Sequence, residues 1–212
     1  MIPILAERRL YGILDLGYCA PAAALETARA MLAGGVQILQ LRAKKLSPAE
    51  ILPFAQNLAP LCRAAGVPFI LNDHPELVGP AGADGVHVGQ DDLSLAEARR
   101  LAGPGKLVGL STHSPAQARA AFAQKPDYIG FGPLFSTPTK PDYTPIGTAD
   151  IADVHCDAPL PIYCIGGIKL ENLAQILATG AQRVVIVSGI LQAPDISAYC
   201  ADCLRLLRGN WR

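Results

Sequence analysis

Residues 36–45 read VQILQLRAKK, a short apolar run that ends in a cluster of basic side chains. The apolar part, Val36 to Leu41, has the length and composition of a buried strand. Gln40, Arg42 and Lys44 come at its end and could donate hydrogen bonds to an anion. A lone basic cluster is more often a solvated strand end, so the interpretation depends on recurrence of the pattern.

The same pattern recurs along the chain. The eight runs that we predict as strands are residues 10–14, 36–41, 69–71, 85–89, 107–110, 128–132, 162–165 and 183–187. Polar or glycine-rich segments follow six more of them, at Asn72-Asp73, Gln90-Asp91-Asp92, Ser111, Thr137 to Lys140, Gly166-Gly167 and Ser188. Residues that could bind a ligand or a metal therefore cluster at the strand ends.

Helical signals separate the strands. Ser47-Pro48-Ala49-Glu50 combines an N-cap serine, a first-turn proline and a capping-box glutamate, and Ser114-Pro115-Ala116-Gln117 repeats this design. Ser94 and Glu97 form a third capping box, and glycines stand where helices should stop, at positions 34, 35, 66, 103 and 180. Helices are thus expected between consecutive strands.

The alternation decides the fold class. The strands are too uniformly apolar to face water, which indicates a parallel sheet covered by helices. We predict one domain, a single (βα)8 TIM barrel over residues 1–212. An open doubly wound sheet is the alternative, but no G-x-G-x-x-G turn follows the first strand.

Composition limits the partners. Eighteen basic and eighteen acidic side chains cancel, so no net charge attracts nucleic acid or a membrane surface. Apolar runs of about 18 residues, the minimum for a membrane span, are absent from the sequence. The six cysteines are irregularly spaced, and Cys200 and Cys203 suit core packing better than zinc or redox chemistry. We expect a cytoplasmic protein that binds small molecules; whether it forms a homo-oligomer stays open.

The strand ends predict a binding site. In a (βα)8 barrel they converge on one face, which carries the active site. Gly166-Gly167 and Ser188 have the composition of a phosphate site. Asp73 and Asp92 are hard oxygen ligands suited to Mg²⁺, with helix capping as the alternative. The proline-dense segment from Pro133 to Pro145 is expected to be a long active-site loop that closes over substrate.

The histidines predict less. His87 lies inside a predicted strand and is more readily explained by interior hydrogen bonds than by a ligand role, and His155 is expected in an exposed loop. No histidine pair has the spacing of a zinc site.

Taken in order, the motifs form a recognisable set that spans about Leu10 to Ile190. They are Gln40-x-Arg42-x-Lys44, Asn72-Asp73, Val86-His87-Val88-Gly89-Gln90-x-Asp92, Gly109-x-Ser111, Gly130-x-Gly132-Pro133-x-Phe135-x-Thr137-x-Thr139-Lys140, Ile165-Gly166-Gly167-Ile168 and Val187-Ser188. The set resembles the thiamine phosphate synthase family.

The resemblance implies a transferase that joins two heterocycles. A pyrimidine diphosphate, 4-amino-2-methyl-5-(diphosphooxymethyl)pyrimidine, and a thiazole phosphate would give thiamine phosphate and pyrophosphate by a dissociative substitution assisted by Mg²⁺. It implies that Asp73 and Asp92 bind Mg²⁺ and that Arg42, Lys44 and Lys140 act on the leaving group.

The resemblance also implies two sets of substrate contacts. The pyrimidine diphosphate would contact Gln40, Leu41, Arg42, Ala43, Lys44, Asn72, Ser111 and Lys140. The thiazole phosphate would contact Thr137, Pro138, Thr139, Gly167, Val187 and Ser188. Two alternatives remain: the sibling thiazole tautomerase, which typically lacks the full pyrophosphate and metal set, and a non-catalytic barrel that binds a phosphorylated ligand.

Overall fold

The computed structural model describes residue 5 and residues 7–136, 144–156 and 158–209. Eight parallel strands close into a barrel in sequence order, each hydrogen-bonded to the next and the eighth to the first. The strands are β1 Leu10–Asp15, β2 Ile38–Arg42, β3 Phe69–Asn72, β4 Gly85–Val88, β5 Leu107–Thr112, β6 Tyr128–Phe131, β7 Ile162–Cys164 and β8 Val184–Ile186. The predicted (βα)8 barrel is confirmed.

Helices follow the strands and cover the outside of the barrel. They are α1 Ala24–Ala33, α2 Pro48–Ala64, α3 Val78–Ala81, α4 Leu95–Ala102, α5 Pro115–Gln124, α6 Ile151–Cys156, α7 Leu170–Ala178, α8 Ser188–Leu191 and α9 Ile196–Gly209. Short 3₁₀ turns, Pro21–Ala23 and Pro75–Leu77, precede α1 and α3.

The predicted helix signals are at helix boundaries. Ser47 is the N-cap of α2, and its backbone N–H donates to the Glu50 carboxylate over 2.8 Å. Ser94 and Ser114 accept hydrogen bonds from the backbone N–H groups of Glu97 and Gln117. These bonds satisfy donors that a helix N-terminus leaves without a partner.

Two strands, β2 and β8, start later than predicted. β2 begins at Ile38, because the side-chain oxygen of Gln37 accepts hydrogen bonds from the backbone N–H groups of Arg9 and Leu10. That contact ties the entry of β2 to the entry of β1. At its other end β1 extends one residue beyond the prediction and includes Asp15.

The apolar residues form two layers. The larger layer lies between strands and helices. The smaller one fills the barrel interior with residues such as Tyr11, Ile38, Tyr128, Tyr163 and Val185. Because successive strand residues face opposite sides, the interior residues alternate with those under the helices. The same alternation sends polar side chains near the strand ends into the mouth of the barrel.

All six cysteines are free, and five of them are buried. Cys200 and Cys203 are both fully buried on α9, as the core interpretation of the CxxC pattern predicts. Within the described ranges, every helix is too short or too polar to cross a bilayer.

Candidate active site

A cavity opens at the carboxyl ends of the strands and collects predicted site residues from five of them. The predicted residues that line it are Gln40, Arg42, Asn72, Ser111, Gly167, Val187 and Ser188. They lie up to 148 positions apart in the chain, from residue 40 to residue 188. Closure of the barrel makes them neighbours.

The side chains of residues 40–43 point alternately to the two sides of the barrel wall. Gln40 and Arg42 face the cavity, whereas Leu41 and Ala43 are buried in the layer beneath the helices. The alternation of a strand requires this division. Leu41 and Ala43 therefore face away from the cavity, and a substrate role for them stays a prediction.

Arg42 is held by a residue that the sequence argument missed. Its Nη1 donates to Asp15 Oδ2 over 2.5 Å, and Asp15 is 1 % exposed. Asp15 Oδ1 also accepts the backbone N–H of Gly17 over 2.8 Å, which fixes the carboxylate. Asp15 comes directly after an apolar run, so the strand-end pattern that selected Arg42 could also have found it.

Lys44 pairs with Asp73, and Asp92 adjoins them. The Lys44 ammonium forms an ion pair with the Asp73 carboxylate. Burial raises the pKa of Asp73, the Lys44 cation opposes that rise, and a hydrogen bond with the Asp92 side chain adds to it. Asp92 is itself anchored, since its Oδ2 accepts the backbone N–H of Gly89 over 2.7 Å. The two carboxyl groups thus meet at the ends of β3 and β4 as predicted.

Asp73 has an unusual backbone. Its φ angle is +64°, in the left-handed region that non-glycine residues rarely adopt. Its N–H donates to the carbonyl of His87 over 2.9 Å, which joins the ends of β3 and β4. Such strain persists only where the surrounding structure imposes it, and it often marks a functional position.

The donor chemistry here fits Mg²⁺. Asp73 and Asp92 both carry carboxyl groups. When two such groups lie close together and are partly buried, a nearby cation stabilises their charged forms. Mg²⁺ in proteins is commonly held by one or two carboxylates, with substrate phosphates and water as further ligands. Among the described residues no cluster of three or more acidic, histidine or cysteine side chains could hold a metal. Two carboxylates would suffice for Mg²⁺ if substrate phosphates and water supplied its other ligands.

Ser111 and Gln40 are connected through the barrel interior. His87 Nε2 and Ser111 Oγ are 2.9 Å apart, and His87 Nδ1 lies 3.3 Å from the Tyr128 hydroxyl. Gln40 donates to the hydroxyl of Tyr11 over 2.7 Å. His87 therefore takes interior hydrogen bonds, as the sequence argument favoured.

Gly109 makes room for this network. A Cβ at this position would lie 2.6 Å from His87 Nδ1 and 2.6 Å from Tyr128 Cε2. Those distances are far shorter than a van der Waals contact, and neither ring sits at the end of a flexible side chain. The requirement for glycine explains the Gly109-x-Ser111 motif.

The opposite side of the mouth is rich in glycine. Gly166 and Gly167 have φ angles of +99° and +67°, and a Cβ on Gly167 would lie 2.6 Å from the Cβ of Phe135. The Gly167 carbonyl accepts a hydrogen bond from Asn172 Nδ2 over 2.9 Å, which links the turn to α7. Val187 and Ser188 line the same side of the cavity.

The proline-dense connection is anchored at its base. The N–H groups of Leu134 and Phe135 donate to the carbonyls of Ile165 and Gly166, and Ile146 N–H donates to Pro133. Thr137, Pro138, Thr139 and Lys140 lie outside the described residues, as does the stretch through residue 143. Their substrate and catalytic roles, and closure of the loop, stay predictions.

His155 was wrongly expected in an exposed loop. It lies in α6, partly buried, and its Nδ1 is 2.8 Å from the carbonyl of Ile151 one turn earlier. Burial lowers the pKa of its ring. His113, another cavity residue without an assigned role, has Nδ1 2.6 Å from the Gly132 carbonyl.

Comparison with known proteins gives a consistent result. Residues 10–190 match the family model for thiamine monophosphate synthase. The thiamine-phosphate synthase of Thermus thermophilus is 46 % identical over 175 residues, which cover 82 % of this chain and 84 % of the relative. The one from Halalkalibacterium halodurans is 44 % identical over 168 residues, covering 79 % and 80 %. Both cover most of this chain.

Solved structures agree. The thiamine phosphate pyrophosphorylase of Pyrococcus furiosus has a TM-score of 0.88 and 26 % identity, and the match covers 97 % of this chain and 98 % of that one. The 3-hexulose-6-phosphate synthase of Salmonella typhimurium, at 18 % identity and a TM-score of 0.70, shares the fold alone. The chain therefore belongs to the thiamine phosphate synthase family, transferase enzymes of thiamine biosynthesis.

Proposed function

We propose that this chain joins 4-amino-2-methyl-5-(diphosphooxymethyl)pyrimidine to 4-methyl-5-(2-phosphooxyethyl)thiazole. The bond between the pyrimidinylmethyl carbon and the diphosphate oxygen breaks, and its electron pair leaves with pyrophosphate. The thiazole nitrogen then forms the new bond to that carbon, giving thiamine phosphate. The observation that carries the proposal is the position of Arg42 at the cavity wall together with the contacts that join Lys44, Asp73 and Asp92 at the ends of the neighbouring strands β2 to β4.

Arg42 and Lys44 would stabilise the charge that builds up on pyrophosphate. The carboxylate of Asp15 holds the Arg42 guanidinium while leaving it at the cavity wall. Lys44 is half exposed at its side chain and can turn from Asp73 toward a phosphate. Preorganised cations of this kind are typically worth about 2–4 kcal/mol of barrier each, by analogy with oxyanion-hole donors. Lys140 is proposed as a third cation.

Asp73 and Asp92 would hold Mg²⁺ together with diphosphate oxygens. When bound, the ion supplies positive charge to the leaving group. Neutralisation of the two carboxylates would release Lys44 for the diphosphate. Gln40, Asn72 and Ser111 would orient the pyrimidine from the wall of the cavity.

The thiazole phosphate would bind on the glycine-rich side. Gly167 lines the cavity at a position where a Cβ would collide with Phe135, and Val187 and Ser188 follow the next strand, β8. Thr137 to Thr139 would complete this contact set. On this assignment the diphosphate would lie near β2 to β4 and the thiazole phosphate near β7 and β8.

The order of bond breaking follows from the charges. The thiazole nitrogen is a neutral nucleophile that attacks through its lone pair, so the reaction needs no general base. The aminopyrimidine can stabilise a cation on its methylene carbon, whereas the cationic side of the cavity stabilises the departing anion. We therefore propose that pyrophosphate leaves before the thiazole attacks.

A substituent tests that order. Replacing the pyrimidine methyl group by trifluoromethyl withdraws electrons from the cation. Single-turnover rates, measured with the chemical step limiting, should fall by orders of magnitude while binding changes little. A rate that does not respond to the substituent would require direct displacement instead.

Turnover with both heterocycles tests the function itself. Pyrophosphate release should require both substrates and a divalent cation, and an excess of chelator should abolish it. Asp73→Ala should raise the KM for the pyrimidine diphosphate far more than that for the thiazole phosphate. Asp153→Ala, which removes an exposed carboxylate outside the cavity, is the matched control. Full turnover in chelator would contradict the proposal.

We also propose that the protein works in the reducing cytoplasm. Its six cysteines are all free, and five of them are buried. Isolation from cells with all six thiols still reactive after unfolding would support this, whereas disulfides in the purified protein would oppose it.

A further inference from the structure

A continuous line of hydrogen bonds crosses the barrel interior from β2 to β5. It runs from the Gln40 side-chain amide to the Tyr11 hydroxyl at 2.7 Å, then to the Tyr128 hydroxyl at 3.0 Å. From there it continues to His87 Nδ1 at 3.3 Å and from His87 Nε2 to Ser111 Oγ at 2.9 Å. All five residues of this interior chain line the cavity, and the rings of Tyr11 and Tyr128 are fully buried.

The orientation of the Gln40 amide, whose nitrogen faces Tyr11, gives the interior chain a direction. Gln40 Nε2 can only donate, so the Tyr11 oxygen accepts and its proton needs an acceptor elsewhere. The remaining partner is the Tyr128 oxygen. A buried hydroxyl keeps a partner for its proton, so Tyr128 in turn donates to His87 Nδ1. The ring proton of His87 is then on Nε2 and is donated to Ser111.

The interior keeps these hydroxyls neutral. Burial raises the pKa values of Tyr11 and Tyr128 well above the usual tyrosine value. Both rings are fully buried and pack edge-on against each other and against Tyr163. Neither hydroxyl ionises near neutral pH, so the direction of donation is not lost by deprotonation.

We propose that this interior chain sets the hydrogen-bond polarity of the substrate cavity. It turns the Gln40 carbonyl oxygen toward the cavity as an acceptor and leaves the Ser111 hydroxyl proton for a cavity group. Tyr11, Tyr128 and His87 are positioning residues that act through Gln40 and Ser111. His87 carries its ring proton on Nε2.

This polarity selects a class of ligand. A ring that offers a donor toward β2 and an acceptor toward β5 fits, and an aminopyrimidine has an exocyclic amine and ring nitrogens of these kinds. A 4-oxo pyrimidine offers an acceptor in place of the amine and sets it against the Gln40 oxygen. The selection by amine rests on the proposed pyrimidine substrate, whereas the direction of the chain does not.

Nitrogen NMR of the ¹⁵N-histidine-labelled protein tests the direction without any substrate. His87 should show a protonated Nε2 and an unprotonated Nδ1 at neutral pH. His87→Gln identifies its signals among those of the four histidines. A protonated Nδ1, alone or in an imidazolium, would overturn the proposal, because Tyr128 could not then donate to it.

Paired tyrosine variants test the control of polarity. In Tyr128→Phe the Tyr11 hydroxyl loses its acceptor and can donate back to Gln40, so the amide turns over. Tyr163→Phe is the matched control, since its hydroxyl donates outside the chain, to the backbone carbonyl of Arg8 over 3.0 Å. Both substitutions remove one hydroxyl from the same aromatic cluster.

The measurement compares two ligands by calorimetry: the alcohol that corresponds to the pyrimidine substrate without its diphosphate, and the same alcohol with a 4-oxo group in place of the amine. The wild type should prefer the amine by about tenfold or more, the amount expected when a buried polar group loses its partner. Tyr128→Phe should lose most of this preference and Tyr163→Phe should keep it. Equal loss in both variants, or no preference in the wild type, would overturn the proposal.

The two proposals fail in different ways. If the protein turns over the pyrimidine diphosphate but Nδ1 of His87 is protonated, the proposed direction of the interior chain is wrong and the proposed function is supported. If there is no turnover but His87 has the Nε2–H tautomer, the proposed function is wrong and the direction of the interior chain is supported. If Tyr128→Phe does not fold, the tautomer of His87 in the wild type still tests the direction of the interior chain.

Discussion

Asp15→Asn should uncouple Arg42 from its anchor with little change in shape. Asp15 is buried, and the Arg42 side chain is 16 % exposed. Removing one partner of a fully buried ion pair costs about 3–5 kcal/mol. Arg42 also faces the cavity, where water can solvate the charge, so we expect a loss of about 1–3 kcal/mol.

Thermal unfolding and steady-state kinetics measure the two consequences. For a protein of this size, each kcal/mol corresponds to about 2–4 °C in Tm. The KM for the pyrimidine diphosphate should rise and kcat should fall, because a freely moving guanidinium stabilises the leaving group less. The KM for the thiazole phosphate should stay near the wild-type value, since that phosphate is assigned to the other side of the cavity.

Asp153→Asn is the matched control. It removes an ion pair with Arg119 in which both side chains are about half exposed, and such pairs contribute about 0–1 kcal/mol. If Asp15→Asn has the melting temperature and kinetic constants of Asp153→Asn, the anchoring role of Asp15 is refuted.

The remaining predictions concern a glycine pair and a buried histidine. Gly167→Ala should destabilise the protein by about 1–3 kcal/mol more than Gly66→Ala. Both have similar positive φ angles, but only Gly167 has a neighbour within 4 Å of the added Cβ; equal losses in urea unfolding would rule out the steric cause. His155 has a pKa lowered by burial, so the unfolded chain takes up its proton first and stability should fall as pH drops through the ordinary histidine range, near 6.5. His155→Gln should flatten that part of the pH profile of unfolding free energy, and an unchanged slope would assign the effect to another group.

Much of the architecture was readable from the sequence. Apolar runs alternate with capped helices, and both signals depend on residues within one turn or one strand. Ser47, Ser94 and Ser114 illustrate this, because each cap bond spans only three residues. Parallel strands buried on both faces then leave few ways to cover the sheet, and the closed barrel is one of them.

The sequence also determined where most candidate residues would be. Strand ends of a closed barrel meet at one face whatever the details of packing, so Gln40, Arg42, Ser111 and Ser188 could be placed together before any contact was known. The resemblance to a family added their expected roles, which depend on matched motifs rather than on geometry.

Tertiary structure alone decided which side chains touch. The Asp15–Arg42 pair joins residues 27 positions apart, and the Tyr11–Tyr128 contact joins residues 117 apart. Strand register and the size of neighbouring side chains set such contacts, and neither is written in a local pattern. His87 is the clearest case: its strand position was evident, but its partners were not. Only closure of the barrel, with Gly109 leaving the space, brings Tyr128 and Ser111 to opposite sides of its ring.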